Sequence, residues 1–84
     1  MKINIGFAVY VDVIEFKPFI GEDIQVYQNA FLDYYCRNWN ENMYMNTETI
    51  VKWMLKRDPD CGAKILEKGI KPGNEDTSLP YMCF

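Results

Sequence analysis

Between Lys2 and Glu15 the odd positions Ile3, Ile5, Phe7, Val9, Val11 and Val13 are all apolar, while Lys2, Asn4, Gly6, Ala8, Tyr10 and Asp12 hold the even ones. Successive side chains of an extended chain point to opposite faces, so this alternation predicts one long β-strand with a buried odd face and a largely wet even face. The rest of the chain must supply a cover for that face and partners for that backbone.

The cover is legible next. Pro18 and Gly21 end the extended run, and Glu22 and Asp23 place negative charge where a helix begins. From Asp23 to Trp39, the residues Ile24, Tyr27, Phe31, Tyr34, Tyr35 and Trp39 recur within an arc of roughly 140° at helical spacing. Gln25, Asn29, Asp33 and Arg37 fall on the other side. An aromatic row at steps of four can be a base-stacking platform or a core packed on the strand. With Arg37 as the helix's single cation, core packing is the better reading.

The Asn-rich stretch 38–46 favours turns, with Met43-Tyr44-Met45 as a short strand inside it. Asn46 or Thr47 caps a second helix, in which Ile50, Val51, Trp53, Met54 and Leu55 form the apolar arc. Asp58 and Pro59 stop it and start a third, short helix from Pro59 to Lys68, with Ile65 and Leu66 inward and Gly69 as a left-handed terminator. Residues 72–84 read as a flexible tail, and Pro80 confines its last apolar stretch to a sheet edge.

The expected fold is therefore α+β, a single compact domain over residues 1–71. A long N-terminal strand lies in a small antiparallel sheet, with two main helices and a short third helix on one face. In-chain strand is scarce, and unpaired buried backbone is costly. The strand can bend near Gly6 or Ala8 under short pieces, pair with a second copy through Ile3, Ile5, Phe7, Val9 and Val11, or extend the sheet of another protein. A homodimer built on those five residues is the expectation.

Catalytic apparatus is sparse. Among 84 residues there is no His and one serine, Ser78, and the glycines match no phosphate-binding pattern. Cys36, Cys61 and Cys83 form no CxxC pair, so neither a zinc site nor any other metal or cofactor is expected. Cys61 would sit in the first turn of the third helix, where a thiol can be activated, but Asp58 and Asp60 oppose that and a structural role is the better reading. The carboxylate pairs Glu22/Asp23 and Asp58/Asp60 fit helix starts better than acid–base chemistry. The N-terminus lacks a signal-peptide pattern and no apolar run approaches the ~20 residues of a membrane span, so a cytoplasmic protein with reduced thiols and no membrane partner is expected.

The formal net charge of −3 is uneven. Residues 1–48 hold seven acidic and three basic side chains, residues 49–71 six basic and three acidic. An acidic face of Asp12, Glu15, Glu22, Asp23 and Asp33 is the candidate partner-binding surface. Lys52, Lys56, Arg57, Lys64 and Lys68 are the candidate phosphate contacts. Abundant Asn, Ile, Lys and Tyr point to an AT-rich bacterial or viral genome. The expected function is a non-enzymatic interaction module, a regulator or inhibitor of a larger bacterial machine such as a nucleic-acid-processing or phage-defence complex. The likeness to small inhibitors encoded by bacterial viruses is one of size and acidity alone. The alternative is a nucleic-acid-binding accessory protein using the 52–71 cluster, which the net negative charge disfavours.

Overall fold

The computed structural model describes residues 1–39 and 43–84. The protein is α+β, with a four-stranded sheet, two α-helices and one 3-10 turn. The predicted long strand is instead a β-hairpin: β1 (Lys2–Gly6) and β2 (Val11–Glu15) pair antiparallel, Ile3 opposite Ile14 and Ile5 opposite Asp12. Folding the run on itself meets the backbone demand that a single strand leaves open. The turn closes with Phe7 N–H donating to the Tyr10 carbonyl at 2.9 Å. It also reverses parity, because each odd residue of β1 faces an even residue of β2. Ile3, Ile5 and Ile14 share the front face, whereas Val11 and Val13 join Asn4 and Gly6 on the back.

Helix α1 (Ile24–Arg37) is capped by Asp23, whose carboxylate accepts from the Gln25 N–H. Helix α2 (Thr47–Arg57) is capped by Asn46, whose side-chain oxygen accepts from both the N–H and the hydroxyl of Thr49. Both helices cover the front face. Ile24, Tyr27 and Phe31 of α1 and Ile50, Trp53 and Met54 of α2 meet Ile3, Ile5, Ile14 and Phe16 in one core. Each fully buried side chain of this kind is worth about 1.5–3 kcal/mol in area removed from water. The Tyr27 hydroxyl accepts from the N–H groups of Phe19 and Ile20 and donates to the Gly21 carbonyl, fixing the β2–α1 loop.

The expected third helix is a correction. Asp58 does cap and Pro59 does begin it, yet it lasts one 3-10 turn, Pro59–Cys61, before Gly62 at φ 62° breaks it. The next residues are strand β3 (Lys64–Ile70), antiparallel to β2. Gly69 is left-handed at φ 71°, but as part of an irregularity in that strand rather than as a helix terminator. Leu66, expected inward, is among the exposed large apolar residues. Met43–Met45 is not a strand; Asn46 N–H donates to the Tyr44 carbonyl, a tight lead-in to the α2 cap. The remainder of the Asn-rich stretch, 40–42, lies outside the described residues.

Strand β4 (Tyr81–Cys83) pairs parallel to β1, giving the order β3-β2-β1-β4. It occupies a sheet edge directly after Pro80, and Met82 enters the core fully buried. The preceding loop reaches the back face, where the buried Asn4 side-chain amide donates to the Asp76 carbonyl at 2.8 Å. Both edges of β1 are thus filled within the chain, and Ile3 and Ile5 are spent on the core. The strand expected to pair with a second copy is not free to do so. The mixed sheet also departs from the purely antiparallel one expected.

Candidate functional site

The acidic residues do not gather as expected. Asp12 is 1% exposed and belongs to the fold: its carboxylate accepts from the Thr47 hydroxyl at 2.5 Å and the Gly69 N–H at 2.8 Å. The parity reversal at the hairpin turn is what carries Asp12 to the covered face. Glu15 is half-buried, 3.9 Å from the Lys64 ammonium. Glu22 and Asp23 are exposed at the start of α1, where Asp23 is spent on the cap. Asp33 pairs with Arg37 one turn along α1 at 3.2 Å.

The basic residues divide into two sets. Lys64 and Lys68 lie on β3, and Lys68 pairs with Glu48, holding that carboxyl below the usual range while its own pKa is raised. Lys52, Lys56 and Arg57 lie on α2, and among the described residues none of the three is ion-paired. Helices α1 and α2 both finish in cations, Arg37 and Lys56–Arg57, as the negative end of a helix dipole favours.

These helix ends converge. A groove of about 340 Å³ runs between α1 and α2, with Ala30, Tyr34 and Trp53 as its apolar floor and Arg37, Lys56 and Arg57 around it. A second lobe of about 320 Å³ adjoins it, bordered by Tyr44, Thr49 and Lys52. Tyr34, Trp53 and Lys56 line both lobes. The Lys56 ammonium stands 5.7 Å from the Tyr34 ring centre and the Arg57 guanidinium 6.0 Å from that of Trp53, both within reach of cation–π attraction. Both cations are exposed, each with one ring of the floor beside it.

Sequence reasoning flagged Lys52, Lys56 and Arg57 but assigned Tyr34 and Trp53 wholly to the core. Trp53 is indeed 4% exposed, yet its remaining surface borders the groove. Arg37 was read as an isolated cation, because its neighbours come from the other helix. Trp39, expected in the buried arc, is 73% exposed just beyond the groove residue Asn38, and Tyr44 is 75% exposed.

Among the described residues Asp33 is the one carboxylate of the first lobe, and it is already paired with Arg37. The groove therefore sets cations beside an apolar floor. Among the described residues, no three His, Cys, Asp or Glu side chains gather as a metal site would require, and no helix is long and apolar enough to cross a membrane. No protein-family model, curated protein or solved structure matches the chain.

Proposed function

We propose that this is a small non-enzymatic protein–protein interaction module, a regulator of a larger assembly, that docks through the α1–α2 groove. The observation that carries this reading is the gathering of Tyr34, Tyr44, Trp53, Arg37 and Arg57 along the two lobes, with the exposed Trp39 two residues beyond Arg37. Trp, Tyr and Arg dominate the energetics of protein interfaces because they bury large areas at small entropic cost and still offer polar contacts.

Nucleic-acid binding is the competing reading, favoured by the same cations. It is weakened by the pairing of Lys64 with Glu15 and of Lys68 with Glu48, which breaks the continuous basic track that a phosphate backbone follows.

Affinity capture from a nuclease-treated bacterial lysate tests the proposal, comparing the protein with a Trp39→Ser/Arg57→Ser variant whose folding is checked by circular dichroism. A stoichiometric protein retained by the first and lost by the second is the expected result. An identical set of proteins on both, or nucleic acid alone before nuclease treatment, contradicts it.

A further inference from the structure

Resting on the reading above, we infer that the groove receives an acidic segment of a partner protein. One apolar side chain sits over Tyr34 and Trp53, and Asp or Glu carboxylates meet Arg37, Lys56 and Arg57. Charge complementarity supplies the first argument. Among the described residues, four cations, Arg37, Lys52, Lys56 and Arg57, border the two lobes against one carboxylate, Asp33. Arg37 can exchange Asp33 for an incoming carboxylate, because that pair is highly exposed, with side chains 77% and 62% accessible.

Shape supplies the second. The two lobes share Tyr34, Trp53 and Lys56, so they are successive seats along one path rather than separate holes. A chain segment with side chains at intervals fills such a path, whereas a single compact ligand occupies one seat.

In the first lobe, ring accessibility favours an acidic segment over a stacked nucleic-acid base, whereas Tyr44 in the second lobe is open. Base stacking needs an open ring face. In the groove floor, Trp53 is nearly buried and sits beside Arg57, and Tyr34 sits beside Lys56. Carboxylates need only the cations, which are presented. A short peptide also carries far less charge than a phosphate backbone, and so is repelled less by a chain of net charge −3.

The test is selection of a random peptide library displayed on phage against the immobilised 84-residue protein. Parallel selections use Arg37→Ser/Lys56→Ser/Arg57→Ser and Lys64→Ser/Lys68→Ser variants. Recovered peptides rich in Asp and Glu around a Leu or aromatic residue are expected. Synthetic versions should weaken about tenfold or more with the groove variant and with added salt, and be unchanged with the β3 variant. Neutral or basic peptides, acidic peptides that bind the groove variant equally, or no enrichment at all would overturn the inference. If neutral peptides are recovered and lost on Trp39→Ser/Tyr44→Ser substitution, the interaction module stands and only its acidic partner falls. If no peptide is enriched while an oligothymidylate binds and is lost with the groove variant, both fall.

Discussion

The Thr47 hydroxyl donates to the Asp12 carboxylate at 2.5 Å in a buried contact that ties the hairpin's second strand to the first residue of α2. The other carboxylate oxygen accepts from Gly69 N–H, where β3 is irregular and its backbone would otherwise lack a partner. One side chain thus fixes three elements, and with them the orientation of the helix that carries Lys52, Lys56 and Arg57. Asp12→Ala orphans both donors and should destabilise the protein by about 1–3 kcal/mol for each group left unpaired. Asp12→Asn can still accept from Gly69 and donate to Thr47, so urea midpoints should rank wild type, Asn, then Ala. Equal loss for both variants would contradict the assignment.

Tyr27 holds the loop between β2 and α1 through both its ring and its hydroxyl. Tyr27→Phe keeps the ring, which packs edge-on to Phe16 at 5.0 Å and Phe19 at 5.1 Å, and removes the acceptor for two N–H groups. A loss of about 1–3 kcal/mol in denaturant unfolding is expected. Amide exchange should accelerate first at Phe19 and Ile20.

The Glu48–Lys68 pair has a defined pH window. Glu48 titrates below its ordinary 4.5 because Lys68 donates to it, so its contribution is present above 4.5 and is lost as pH falls through the lowered folded value. Lys68 titrates above its ordinary 10.5 for the reciprocal reason, so its contribution is present below 10.5 and is lost as pH rises through the raised value. Wild type and Glu48→Gln should therefore differ in thermal midpoint by a small, constant amount across neutral pH and converge in strong acid. A difference that persists in acid would show that the pair is not its source.

Gly6 lies beneath the Tyr81 ring, and a Cβ there would stand 2.6 Å from the phenol oxygen. Burial raises the Tyr81 pKa above its ordinary 10.0, with Glu75 and Cys83 adding to the effect. Gly6→Ala should push this half-exposed ring outward and return its titration toward the ordinary value, as read from tyrosine ring resonances. An unchanged titration would place the ring elsewhere.

Much of this fold is legible from local signals, and the departures share a physical cause. Asp23, Asn46, Asp58 and Pro59 announce the helix starts because capping is a contact among near neighbours. The hairpin is hidden because Phe7-Ala8-Val9-Tyr10 contains no Gly, Pro, Asn or Asp, so the alternation runs unbroken through the turn. Strand β3 is hidden because Pro59 truly begins a helical turn, and only the left-handed Gly62 ends it early. The groove was half visible: Lys56 and Arg57 adjoin in sequence, but Arg37 and Tyr34 reach them only through the packing of α1 beside α2. Asp12 was misplaced for the same reason as Val11 and Val13, since one reversal of parity moves all three.

The most direct measurement is the amide NMR spectrum of the 84-residue protein during titration with an acidic peptide recovered by selection. The account predicts shifts confined to Ala30–Trp39, Met43–Met45 and Thr49–Arg57, with the Trp53 indole N–H among the largest, while Lys64–Ile70 and Tyr81–Cys83 stay in place. Shifts centred on β3 or β4 instead would mean that partners join a sheet edge and that the α1–α2 groove is not the docking surface.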